Sequence, residues 1–293
     1  MIKLLYFVCG IIILCVFTMN AAAMPIFYIG VGNSTPHDPQ GKAAEKLNLT
    51  FKDAAKKLNQ DYIPVILKPK EGKEVGAIEI TDAIAKVAAK AGPGDLFVFY
   101  YEGHGGQADN TPGKEDKQDN TDRAINKGDE YIGAVGNLLS DDELALSLNK
   151  INDKTHKLVI VDACYSGGMV KGADDIDRST MSNLVYLLSV PEDQRDQGLW
   201  EFPNWLEEAL KLDSKNKYPG DSNGDGKVTI DEWVNYAYAK RIAEHAGGST
   251  GSTGWKNSNP RDYVIAYVIE PATMILLAIA LVGLAGVRRK FNH

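Results

Sequence analysis

Five short stretches of the chain are almost continuously apolar. They are Pro25–Gly32, Tyr62–Pro69, Asp95–Tyr101, Lys157–Val161 and Asp262–Val268. Their aromatic and β-branched content and their length predict buried strands. Pro64 cannot donate a ladder hydrogen bond, so the second is expected at a sheet edge or in an irregular position. Between them, apolar residues recur at spacings of three and four. Residues 41–60 carry Ala43, Leu47, Phe51, Ala54 and Leu58 in that rhythm, which predicts a helix. Residues 81–92 predict a second, with Thr81 or Asp82 as its cap and Gly92 near its end. Residues 140–151 predict a third, opened by Ser140 with Glu143 three positions on. Strands alternating with helices give an α/β fold: a mostly parallel central sheet flanked by helices on both faces. Such sheets bind ligands at the carboxyl ends of their strands.

Both ends of the chain break this pattern. Lys3 precedes an apolar run from Leu4 to Phe17, and Ala21–Ala23 offer small residues for cleavage, so residues 1–23 read as a secretory signal peptide. Near the other end, Ala272–Val287 is apolar and Arg288, Arg289 and Lys290 follow. A C-terminal transmembrane helix is expected over 271–287, with the basic end inside and the bulk of the chain outside. The Gly/Ser/Thr-rich stretch at 247–261 reads as a flexible linker between a body of residues 24–246 and this tail of residues 262–293. Glu270-Pro271, the short apolar run and the basic cluster together resemble the PEP-CTERM sorting signal, with the motif's first proline absent. That resemblance implies an exosortase-like sorting enzyme as partner. It also implies a place in the cell envelope or at the cell surface, anchored or released after processing.

The chain holds 32 Lys/Arg against 39 Asp/Glu, a net charge of −7, and four of the basic residues lie in the hydrophobic ends. No basic patch points to nucleic acid. Removing the signal removes Cys9 and Cys15 and leaves Cys164 as the only thiol of an exported chain. Such a thiol is either reactive, paired between molecules, or buried as a small hydrophobe. Its position favours reactivity. The third strand runs into Glu102-Gly103-His104-Gly105-Gly106, and the fourth into Asp162-Ala163-Cys164-Tyr165-Ser166-Gly167. A parallel sheet brings both to one rim. A thiolate is the nucleophile, and a neighbouring imidazolium lowers the thiol pKa. The glycines let a substrate backbone approach, and the N–H groups of Gly105 and Cys164 are candidates for an oxyanion hole. No third, orienting residue can be assigned.

Residues 221–232, DSNGDGKVTIDE, match the EF-hand loop, which puts oxygen ligands at positions 1, 3, 5, 7, 9 and 12 and glycine at 6. The ligands are Asp221, Asn223, Asp225, the Lys227 carbonyl, Thr229 and Glu232, and the cofactor is Ca2+. Residues 230–245 continue as the outgoing helix. Pro219-Gly220 interrupts the incoming one, so a structural clamp is favoured over a sensor.

The Gly103-His104-Gly105 and Asp162–Gly167 segments resemble the two active-site motifs of caspase-like cysteine peptidases. The resemblance is nearest to metacaspases and their bacterial relatives, and it runs from about Pro25 to Tyr238. It implies the caspase–hemoglobinase fold, a dyad of Cys164 and His104, and peptide-bond hydrolysis. It also implies an acidic S1 pocket holding Asp162 and, from the helix after the first strand, Asp53. Two carboxylates would pair with a Lys or Arg side chain, so a substrate with basic P1 is expected. The chain departs from the family at Glu102, where a small serine is usual; Glu102 either adds charge to S1 or points away. The family further implies a second, weaker calcium site at Asp141 and Asp142, with Asp122. Legumain-type peptidases share the layout, so an Asn-specific peptidase or transpeptidase is one alternative. A catalytically inactive caspase-like binding protein is another.

Overall fold

The computed structural model describes residues 24–33, 41–70, 73–107, 130–133, 138–170, 182–190, 202–244, 252–256 and 263–267. Its centre is a six-stranded sheet. β1 (Ile26–Gly32), β2 (Tyr62–Leu67), β3 (Leu96–Glu102), β7 (His156–Asp162) and β8 (Leu184–Leu188) run parallel, and β10 (Ser252–Lys256) is antiparallel. The order is β10-β8-β7-β3-β1-β2. β2 lies at the edge, where the missing N–H of Pro64 costs least. β3 and β7 are central and buried along nearly their whole length, which explains their unbroken apolar sequence.

Alternation along the strands divides the core in two. Tyr28, Val98, Tyr100 and Ile160 face α1 (Lys42–Leu58), α4 (Phe202–Ala209) and α5 (Ile230–Glu244). There Phe51 meets Trp233 edge-on at 4.9 Å, and Trp233 Nε1 donates to the Leu206 carbonyl at 2.6 Å. Phe97, Phe99, Tyr101 and Val161 face α2 (Ala77–Ala88) and α3 (Asp141–Leu148). A small antiparallel sheet of β4 (Gly105–Gln107), β5 (Glu130–Ile132) and β6 (Leu139–Ser140) stands at the strand ends. β9 (Lys227–Thr229) pairs with β11 (Val264–Tyr267).

Three expectations change. α2 starts at Ala77, a turn before Thr81 and Asp82; the Glu79 carboxylate accepts from the Gly76 N–H at 3.2 Å and closes that end. Residues 252–256 are not linker but β10, which covers the edge of β8 with a full antiparallel register. The strand expected over 262–268 forms as β11, but outside the main sheet. Ser140 caps α3 as expected, its Oγ accepting from Glu143 N at 3.2 Å. The signal peptide at 1–23, Asp122 and the 271–287 segment lie outside the described residues. Among those described, no helix is long and apolar enough to cross a membrane.

Candidate active site

β3 and β7 are neighbours in register, Glu102 opposite Asp162, so the segments that follow them leave the sheet side by side. Gly103 N donates to the Asp162 carbonyl at 3.2 Å, which continues the ladder one step beyond the strand. The His104 carbonyl accepts from Tyr101 Oη and from Gly133 N, both at 2.9 Å. Its backbone is thus held while its side chain is exposed. Gly105 opens β4 opposite Ile132. A Cβ at Gly105 would collide with the Cys164 carbonyl oxygen and lie 3.1 Å from the Ala163 methyl. The two segments are in van der Waals contact, and only glycine fits between them.

The thiol sits on a tight turn. Ser189 Oγ accepts from Ala163 N and donates to the Ala163 carbonyl, each at 3.1 Å, and Ser166 N returns to the same carbonyl at 3.3 Å. Tyr165 follows at φ 58°, the left-handed region, which costs a bulky residue on the order of 1 kcal/mol. A short 3₁₀ turn, Ser166–Val170, then begins. Cys164 projects from this turn half-buried. Ser189 was not singled out by sequence. The apolar run Leu184–Leu188 that leads to it was the available signal.

Glu102 and Asp162 are both fully buried. Each follows by two a residue of the α1-facing core, Tyr100 and Ile160, so both carboxylates share that face at the strand ends. Asp53 is elsewhere. Its neighbours Phe51, Ala54 and Ala55 take the inward face of α1, and Asp53 pairs with Lys57 at 2.8 Å on the exposed side. It lines an outer cleft with Lys46 and Leu49 and takes no part at the strand ends.

Asp141 and Asp142 are buried at the head of α3. Asp141 Oδ1 accepts from Asp142 N at 3.0 Å and Oδ2 from Glu130 N at 3.3 Å, which ties α3 to the small sheet. In the 221–232 loop, Gly226 takes φ 81° at the sixth position. Asp221 accepts from the N–H groups of Gly224, Asp225 and Gly226 at 2.8–3.2 Å. Glu232 turns to the N–H groups of Asn223 and Thr229 at 3.3 and 3.1 Å. Backbone shape and donor set suit a hard cation. With the carboxylates drawn onto amides, however, no three His, Cys, Asp or Glu side chains among the described residues are gathered to hold a metal.

Residues 56–172, a span that contains both His104 and Cys164, match the family model "Metacaspase, peptidase C14 domain". This segment is similar to a metacaspase-type peptidase domain. Metacaspase-8 of Arabidopsis thaliana is 29% identical over 115 residues, 39% of this chain and 28% of that protein. Metacaspase-1A of Aspergillus terreus is 29% identical over 119 residues, 41% of this chain and 24% of that protein. The chain thus spans about a quarter of the length of these relatives. The crystal structure of a Geobacter sulfurreducens protein superposes with a TM-score of 0.53 at 18% identity, covering 84% of this chain and 100% of that one, which is a likeness of fold. Residues 270–290 match the PEP-CTERM protein-sorting motif, which points to export and a cell-envelope location.

Proposed function

We propose that the chain is an exported cysteine endopeptidase that cuts after arginine or lysine. The observation that carries this reading is the contact of Gly105 with the Cys164 carbonyl, which sets the His104 segment against the thiol's own turn. His104 takes the Cys164 proton, and the sulfur attacks the scissile carbonyl. The N–H groups of Gly105 and Cys164 stabilise the oxyanion. The C–N bond then breaks as His104 protonates the leaving amine. Water, deprotonated by His104, cleaves the thioester and restores the thiol. Asp162 and Glu102 supply negative charge for a basic P1 side chain. The 221–232 loop would hold a calcium ion through Asp221, Asn223, Asp225, Lys227, Thr229 and Glu232; Asp141 and Asp142 would contribute to a second. Bound calcium would supply a hard positive charge that cross-links the loop. The 271–287 segment anchors the chain in the membrane until an exosortase-like enzyme processes the tail.

Fluorogenic peptides with Arg, Lys, Asn or Asp at P1 test this. Turnover of the Arg and Lys peptides that vanishes in Cys164→Ala and falls about 10²–10⁴-fold in His104→Ala is expected. Turnover of the Asn peptide alone would favour a legumain-type specificity. Tight peptide binding without any turnover would favour a binding protein.

A further inference from the structure

The face from which β11 leaves the body takes no part in the proposed chemistry. It carries an open cleft of about 500 Å³ between α1, the end of α4 and β11. Leu49 and Leu212 line it, 62% and 41% exposed, two of the five large apolar side chains that the described residues leave in solvent. Lys46 pairs with Glu207 at 2.9 Å and Lys57 with Asp53 at 2.8 Å, so Lys211 is the cation in excess along the cleft.

The course of the chain says what meets this face. β11 ends at Tyr267, with Ile265 and Ala266 in the cleft wall, and the sorting motif begins at residue 270. The apolar run starts at Ala272, five residues on, a span of at most ~18 Å. The headgroup layer of each leaflet is itself roughly 5–8 Å thick. The end of β11 is thus confined to within about 10 Å of the headgroups whenever that run is in hydrocarbon. β11 cannot swing away freely. It is zipped to β9, Ile230 N donates to the Tyr263 carbonyl at 2.9 Å, and the Tyr263 ring lies 5.0 Å from His156.

We infer that the α1–α4–β11 face rests on an anionic bilayer, Leu49 and Leu212 entering the headgroup boundary and Lys211, in excess of the two ion pairs, meeting lipid phosphate. Lysine stems lie on apolar surface while their ammonium groups reach the phosphates, and exposed leucines beside them add apolar contact. The inference rests on the reading of 271–287 as a membrane anchor.

The full chain is made with Cys9, Cys15 and Cys164 replaced by alanine and one new cysteine for a fluorophore, at Leu49→Cys, Leu212→Cys or, on α3, Leu146→Cys. Leu146 is also exposed, at 49%, and serves as the control. Each is reconstituted in vesicles of phosphatidylethanolamine and phosphatidylglycerol whose acyl chains carry doxyl quenchers, and circular dichroism verifies folding. Flotation with the vesicles and loss of emission at positions 49 and 212, with position 146 bright, is expected. Flotation with equal emission at all three positions overturns the docking face. So does a disulfide between two copies of the unlabelled Leu49→Cys protein, since a second chain would then cover the cleft. Failure to float overturns the anchor reading itself, and the docking face with it.

Discussion

Gly105 is where the candidate site is most sensitive to a single atom. A methyl group there meets a backbone carbonyl, not a flexible side-chain tip, so relief requires moving the Cys164 turn or the His104 segment. Overpacking of this kind costs about 1–3 kcal/mol. Gly105→Ala is therefore expected to lower peptide turnover by more than the loss of folded protein explains. Thermal melting beside active-site titration separates the two. Wild-type turnover in a folded Gly105→Ala protein would mean the two segments do not work together. Ser189 offers an independent check from the other side of the turn. Ser189→Ala removes the hydroxyl that bridges both polar groups of the Ala163 backbone, at a cost of about 1–3 kcal/mol. Its expected signature is a lower melting temperature together with reduced kcat, read on the same preparation.

At the scale of elements, β9 links two features that are far apart in sequence. It carries the seventh and ninth positions of the 221–232 loop, and its partner is β11. If calcium fills the loop, Glu232 exchanges its amide contacts for the ion, and binding stabilises the folded state by about 2.7 kcal/mol at a hundred times Kd. The melting temperature should rise with calcium, fall on chelation, and cease to respond in Asp221→Ala. A chelation-insensitive wild type would exclude the site. β11 is also pinned by His156, whose Nδ1 is buried without a hydrogen-bond partner. Burial, aided by the Lys157 charge, holds its pKa below the usual 6.5. The folded state therefore binds fewer protons than the unfolded one just below pH 6.5. Stability falls as the pH drops from 6.5 to the folded pKa and levels off below it. His156→Phe keeps a ring against Tyr263 and should flatten that part of the melting profile. The strands β1, β3 and β7 were legible because strands covered on both faces leave unbroken apolar runs. α4 was missed although Phe202, Trp205, Leu206 and Ala209 keep helical spacing and Pro203 suits a first turn. β10 was not legible, because its Ser-Thr-Gly sequence has linker chemistry and is a strand only through the exposed edge of β8. The placement of His104 and Cys164 after neighbouring strands could be read from the apolar runs that precede them. The outward side of Asp53 was legible too, since Phe51 and Ala54 already mark the buried stripe of α1.

For the molecule as a whole, the α1–α4–β11 cleft and the segments that carry His104 and Cys164 lie on different parts of the fold. Tyr263 packs against His156, the first residue of β7, whereas Cys164 follows the last; a strand of seven residues separates them by about 23 Å. The cleft runs along the outer side of α1, and the thiol opens on the rim formed by the ends of β3 and β7. A bilayer lying on the α1 side leaves that rim open to the aqueous phase. Short peptides should then be cut with the same kcat/KM whether the full chain sits in vesicles or in detergent. Raising ionic strength should loosen the Lys211 contact without changing that value. Measuring both preparations with one Arg-P1 peptide checks the point. A large fall in kcat/KM on vesicles, reversed by detergent, would mean that the membrane covers the rim and that the chain sits on its lipid surface by another side.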